Sequence, residues 1–221
     1  MSCSIDNKLK EIAKVNFNTH PNRKDYDNTL FDLQSFIAHK LDNEPYMKIL
    51  DAGCAYGTLS DYLAEKHHVT ALDALPELID KDSFESKNIE FISCNLETDD
   101  IGYEDKFDLV IFTEVIEHLN YNPVPVIEKL YKALKPGGKI ICTTPMKELQ
   151  GIVHPNKGRY ANYAHYRDIP LPWNGYTFID DHHYFYSKPE LSQLFHEVGF
   201  NVLERYPIRE GTTHYLLAHK K

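Results

Sequence analysis

Between Met47 and Thr144, short apolar runs of strand length alternate with stretches whose apolar residues recur every three or four positions. Met47–Ala52, Val69–Asp73, Ile89–Cys94, Phe107–Thr113 and Lys139–Thr144 read as strands; Thr58–Lys66 and Pro123–Leu134 read as helices. Such alternation predicts an α/β fold, a mostly parallel sheet doubly wound with helices on both faces. Upstream, Leu30, Leu33, Ile37 and Leu41 lie at helical spacing and predict an amphipathic helix over Asp25–Leu41. Lys135-Pro-Gly-Gly138 reads as a helix stop and tight turn feeding the fifth strand. After Pro145 the pattern lapses for about forty residues, a length at which a loop inside a compact domain is usually functional. Order resumes at Ser187-Lys-Pro-Glu190, a capping box opening a helix that stops at Gly199. Asn201–Tyr206 and Thr212–His219, around Glu210-Gly211, read as a C-terminal hairpin that makes the sheet edge antiparallel.

At 221 residues, without a linker-like tract or an internal repeat, the chain reads as a single domain, 1–221. A formal net charge of −9 provides no basic face for a long nucleic acid, so nucleic-acid partners are not expected. No segment approaches the roughly 20 apolar residues of a membrane span, so no membrane association is expected. Cys3, Cys54, Cys94 and Cys142 have no metal-finger spacing and read as reduced thiols, which fits a cytoplasmic protein.

The strand ending at Leu50 runs into Asp51-Ala-Gly-Cys-Ala-Tyr-Gly57 and then a helix, an arrangement that brings a ligand against bare backbone. Asp73 ends the next strand, where a carboxylate can accept both hydroxyls of a ribose. A dinucleotide site would need G-x-G-x-x-G and amides on a pyrophosphate. This loop opens on a carboxylate instead, which suits a cofactor carrying an ammonium and no phosphate.

These residues resemble the class I methyltransferases, whose first motif typically reads Asp-x-Gly-Cys-Gly-x-Gly after an apolar strand. Phe91-Ile-Ser-Cys-Asn-Leu96 resembles the third motif of that family, Phe107 to Leu119 the fourth, and the Lys135-Pro-Gly-Gly turn the fifth. The resemblance implies a seven-stranded Rossmann-like sheet, S-adenosyl-L-methionine as cofactor, and cofactor contacts at Asp51, Gly53, Cys54, Ala55, Gly57, Asp73, Asn95, Leu96 and Thr113. Ala55 stands where the family usually has glycine; one added methyl predicts a slightly tighter loop with binding retained. Asn95 stands where Asp is frequent and can still accept from the adenine amino group.

Glu114-Val-Ile-Glu-His118 follows the fourth strand, at the sheet edge where ligands bind. If this segment turns helically, Glu114, Glu117 and His118 share one face, and with His182 they could hold a divalent metal ion (Mg, Mn or Zn). Glu-x-x-Glu-His resembles the signature of two branches of the family, the ubiquinone-biosynthesis O-methyltransferases and the small-RNA 3′-terminal 2′-O-methyltransferases. In the RNA branch a later Asp-His-x-aromatic segment supplies a further ligand, matching His182. A cation bound there would chelate two adjacent oxygens and acidify the acceptor hydroxyl. Without one, His118, His182 or His183 is the candidate catalytic base.

Residues 146–186 carry His154, Tyr160, Tyr163, His165, Tyr166, Trp173, Tyr176, Phe178, Tyr184 and Tyr186, and read as an aromatic cap over a small-molecule acceptor. The same aromatics would also serve a satellite core or a homodimer contact. Residues 1–45 read as a helical lid. The expectation is O-methylation of a small hydroxyl compound of sugar, catechol or quinol type. The alternatives are 2′-O-methylation at an RNA terminus and a non-catalytic cofactor-binding module.

Overall fold

A computed structural model of the chain describes residues 4–16, 23–147, 159–160, 162–172 and 178–221. His154, Trp173 and Tyr176 of the expected cap lie outside them. The chain divides into two compact units, Met1–Ser93 and Cys94–Lys221. In chain order the first contains α1 (Ile5–Asn16), α2 (Arg23–Leu41), β1 (Lys48–Ala52), α3 (Thr58–Leu63), β2 (His68–Asp73), α4 (Lys81–Ser86) and β3 (Glu90–Ser93). The second contains β4 (Phe107–Thr113), α5 (Val124–Ala133), β5 (Leu134–Pro145), α6 (Lys188–Val198), β6 (Phe200–Ile208) and β7 (Thr213–Lys220). The seven strands run in the order β3-β2-β1-β4-β5-β7-β6.

In the first unit β1, β2 and β3 pair in parallel, and their sides are buried by Ile49, Leu50, Val69, Ala71 and Leu72. The expected N-terminal helix is α2, with Leu33, Ile37, Ala38 and Leu41 buried. Two helices here were not anticipated. In α1, Leu9 and Ala13 are buried, and Asp6 accepts from Ser35 of α2. In α4, Asp80 caps the first turn through Ser83 N–H at 3.1 Å and only Phe84 is buried. The helix expected to reach Lys66 ends at Leu63: Glu65 and Lys66 donate to Tyr62 and Leu63, three residues back, so the last turn tightens out of α geometry.

In the second unit β4 and β5 are parallel, while β7 runs antiparallel to both β5 and β6. The C-terminal hairpin is therefore present, with β7 inserted between β5 and β6. Lys135-Pro-Gly-Gly138 belongs to β5 instead of preceding it: Leu134 pairs with Phe107 and Lys139 with Leu109, so four residues bulge opposite Asp108 alone. Lys135 Nζ holds the bulge by an ion pair to Asp108 at 2.5 Å. A Cβ at Gly138 would sit 2.9 Å from the Lys135 carbonyl oxygen, which is why glycine stands there. The capping box of α6 forms as expected, Ser187 Oγ accepting from Glu190 N–H and Glu190 accepting from Ser187 N–H. Gly199 ends the helix at φ 112°. Among the described residues no helix is long and apolar enough to cross a membrane. The sheet, parallel apart from its C-terminal hairpin, is the doubly wound α/β arrangement expected from the sequence.

Candidate active site

At the carboxyl end of β1 the chain turns through three residues with positive φ: Gly53 (84°), Ala55 (46°) and Gly57 (73°). Gly53 and Cys54 donate to the Leu72 carbonyl, and Gly57 donates to Cys54, which locks the turn to the end of β2. Asp73 completes it, one carboxylate oxygen accepting from Ala55 N–H at 2.8 Å and the other from Leu75 N–H at 2.9 Å. Ala55 adopts a left-handed backbone, where an L-residue is strained. Gly57 is needed twice over, since a Cβ there would meet Phe84 Cζ at 2.4 Å.

Asp51 is buried and accepts from Ser60 Oγ at 2.6 Å. Burial pushes its carboxyl up to about 6, the Ser60 hydroxyl opposes that rise, and the charge on Asp73 adds to it. Cys54 is buried beside the same two carboxylates and its thiol is held well above its ordinary range, chiefly by burial. Two carboxylates, Asp51 and Asp73, flank a turn whose left-handed glycines leave bare backbone beside them. This donor set fits a nucleoside carrying an ammonium and offers nothing for a pyrophosphate. Ser60, one turn into α3, escaped the sequence reading, although its place three residues after Gly57 is where a first-turn hydroxyl reaches back.

The remaining expected cofactor residues belong to the second unit. Asn95 is half-buried, with its side-chain oxygen accepting from Glu97 N–H at 2.9 Å. Leu96 is buried, and its carbonyl accepts from Lys129 Nζ at 2.7 Å. Thr113 closes β4 opposite Thr143 of β5.

Past Thr113 the anticipated helical face of Glu114, Glu117 and His118 does not form. Glu114 is left-handed at φ 53°, and only Ile116–His118 turn, as a single 3-10 turn. The break directs the two glutamates to different partners. Glu114 accepts from Thr143 Oγ1 at 2.9 Å and lies 4.0 Å from Arg209. Glu117 is fully buried; one oxygen accepts from Thr144 Oγ1 at 3.0 Å, and the other, Oε1, has no hydrogen-bond partner. Burial, and then the negative charge of Glu117, push Glu114 up to about 8. Burial also raises Glu117, with His118 opposing.

The returning chain brings His182 to this turn. His183 and Tyr184 donate their amides to the Glu117 carbonyl, the first at 2.7 Å, so residues 182–184 dock on the backbone of the turn. Asn120, fully buried, donates to the carbonyls of His118 and Ile179 and accepts from Ile179 N–H, fixing the approach from 179 onward. The His118 and His182 rings meet edge to face, with centroids 4.5 Å apart. Glu117, His118 and His182 each offer a ligand atom, and these lie within 4.8 Å of one another. Glu114 is not among them. His118 Nε2 lies 4.0 Å from the unpartnered Glu117 Oε1, too far for a hydrogen bond; ligation of one tetrahedral cation by both would draw them together to about 3.4 Å. His118 Nδ1 is 2.9 Å from Asp180 Oδ1, a contact the sequence reading missed. Burial lowers the His118 pKa, but Asp180, Glu117 and Glu114 together outweigh it and the net shift is upward. His183 is differently employed: buried, its pKa lowered by burial, it gives Nε2 to the Ile179 carbonyl at 3.0 Å. Of the three candidate bases it is the one committed to holding the chain.

The described aromatics of the cap are largely interior. Tyr160, Tyr166, Tyr184 and Tyr186 are buried. Tyr160 donates to the Asn120 carbonyl at 2.7 Å and Tyr166 to Glu197 at 2.6 Å. They build a satellite core that carries His182, while Tyr163 and Phe178 remain exposed.

A sequence profile described as a methyltransferase domain matches residues 23–205. Malonyl-[acyl-carrier protein] O-methyltransferase of Priestia megaterium is 30% identical over 147 residues, 61% of this chain and 52% of that protein. The mitochondrial ubiquinone biosynthesis O-methyltransferase of Rattus norvegicus is 37% identical over 109 residues, 46% of this chain and 31% of that protein. The match thus spans about half or less of these relatives' length. Among solved structures, a protein from Pyrococcus horikoshii OT3 superposes with a TM-score of 0.66 at 19% identity, covering 93% of this chain and 98% of that one. The 1,6-didemethyltoxoflavin-N1-methyltransferase of Burkholderia thailandensis, solved with bound 1,6-didemethyltoxoflavin and S-adenosylhomocysteine, gives 0.62 at 18% identity, covering 100% and 92%. At these identities the structural matches speak for the fold; the profile, over most of the chain, speaks for the family. The chain belongs to the methyltransferase-domain family, of the class I, S-adenosylmethionine-dependent kind.

Proposed function

We propose that this protein methylates a hydroxyl of a small molecule of sugar, catechol or quinol type. The observation that carries the reading is the group Glu117, His118 and His182, with a fully buried carboxylate oxygen that no protein donor satisfies. S-adenosylmethionine, when bound, supplies an electrophilic methyl on a sulfonium. Asp51, Gly53, Gly57 and Asp73 would hold it, the first through its carboxylate toward the ammonium and Asp73 toward the ribose hydroxyls. Attack on that methyl requires an oxygen that sheds its proton, and without a bound cation His118 Nε2 would take it.

The same three side chains fit a divalent cation, because a positive ion would relieve a carboxylate that burial otherwise holds toward its protonated form. Glu117, His118 and His182 would hold it, and its chemistry would be to lower the pKa of the acceptor hydroxyl and fix two neighbouring oxygens. O-methyltransferases among the relatives support oxygen as the acceptor atom. A net charge of −9 counts against a polynucleotide acceptor.

The test is transfer of labelled methyl from S-adenosylmethionine to a panel of catechols, sugars and short RNAs, with and without chelator, on the native chain and on Glu117→Ala. Transfer to a catechol or sugar, lost in the variant and in chelator and restored by added Mg, Mn or Zn, is expected. Equal rates in all arms would remove both the metal and the role of Glu117; transfer to RNA alone would replace the acceptor.

A further inference from the structure

We infer that Asp180 is a positioning residue for His118, fixing the imidazole tautomer in which Nδ1 carries the hydrogen and Nε2 presents its lone pair to the Glu117–His182 group. The inference deepens the reading of that group as the reactive centre.

Asp180 Oδ1 lies 2.9 Å from His118 Nδ1. The angle departs from good hydrogen-bond geometry, so the contact is an ion pair by proximity and charge. It still decides the tautomer. A lone pair on Nδ1 at 2.9 Å from a carboxylate oxygen would face like charge, whereas an N–H there is attracted to it. A neutral imidazole has one N–H, so placing it on Nδ1 leaves Nε2 as the acceptor nitrogen. Nε2 is also the atom facing Glu117 Oε1, at 4.0 Å. The opposite tautomer would put a lone pair against Asp180 and aim a hydrogen at the place where a metal ion or an acceptor proton must go.

Chain geometry singles out Asp180 from its neighbour. Asp181 turns its carboxylate to the amide of His182 at 2.8 Å, and Asn120 clamps Ile179 through both its amide and its carbonyl. The residue between these anchors is the one delivered to the ring. A carboxylate on the far nitrogen of a functional imidazole is the usual means of setting ring orientation and basicity, whether the near nitrogen binds a metal or takes a proton.

The experiment is long-range 1H–15N correlation spectroscopy of the histidine side chains in the full-length protein, metal-free and without acceptor, at a pH where His118 is neutral, its signals assigned by loss in His118→Gln. Native protein should show the Nδ1–H tautomer for His118. Asp180→Ala should move it to a mixture or to Nε2–H. Asp180 is 58% exposed at its side chain, so the substitution should leave folding intact. The inference falls if native His118 is in the Nε2–H form, or if Asp180→Ala leaves the tautomer unchanged. Because the measurement needs neither turnover nor acceptor, it is decided separately from the methylation assay.

Discussion

Replacing Asp51 with asparagine should stabilise the protein without cofactor while removing cofactor binding. Asp51 is 3% exposed, and its carboxyl sits at about 6 against an ordinary 3.8, chiefly because burial disfavours the charged form. That difference corresponds to about 3 kcal/mol between the two protonation states. Between pH 4 and 6 the folded chain binds more proton at this site than the unfolded chain. Stability therefore falls as pH rises through that window, and the full penalty stands above pH 6. Asparagine removes the charge and keeps an oxygen for Ser60, but its new amide hydrogens need acceptors, at a cost of about 1–2 kcal/mol. The net gain at pH 7.5 is about 1–2 kcal/mol, roughly 2–8 °C in Tm for a chain of this size. At pH 4, where the native aspartate is already protonated, the gain should vanish. The loss of a buried charge partner should weaken S-adenosylhomocysteine at least about 30-fold. Thermal unfolding followed by circular dichroism at both pH values, with calorimetry of the ligand, reads all three. A variant less stable than the native chain at pH 7.5, or a difference that does not change with pH, would refute the reasoning.

Two further substitutions bear on the same loop. Gly57→Ala adds a Cβ into the Phe84 ring at φ 73° and should cost about 2–5 kcal/mol, read as a lower urea midpoint at unchanged slope. Ala55→Gly relieves a left-handed alanine by about 1–2 kcal/mol but returns up to about 1 kcal/mol through the freer unfolded chain. A small net rise in the urea midpoint is expected, and a fall would mean that the Ala55 methyl contributes packing.

The strand–turn–helix course from Met47 to Thr144 was legible because burial on both faces of a parallel sheet leaves continuous apolar runs, and Gly53, Gly57 and Asp73 sit at turns only a few residue types can make. Where Leu9 and Ala13 are the buried residues among those described, or Phe84 alone, the stripe is too thin to read, so α1 was not resolved within the helical segment 1–45 and α4 was missed. The bulge of Lys135–Gly138 looked like a turn because Pro and Gly mark both. Its membership of β5 depends on Phe107 and Leu109, far off in sequence. The fate of Glu114 was hidden for a different reason. A non-glycine residue in the left-handed region is selected by its surroundings, here Thr143 and Arg209, against its own preference. Asp180 meets His118 across more than sixty positions, and no local pattern announces such a contact.

Met146 bridges in parallel to Tyr186, and Lys147 N–H reaches the Tyr186 carbonyl, so the chain departs and returns at one point beside β5. A segment gathered at its base in this way can lengthen or shorten at little thermodynamic expense, about 0.6 kcal/mol per doubling, and the strands do not register the change. Segments of different length can thus be carried between the two sides of this bridge without altering the pairing of the sheet.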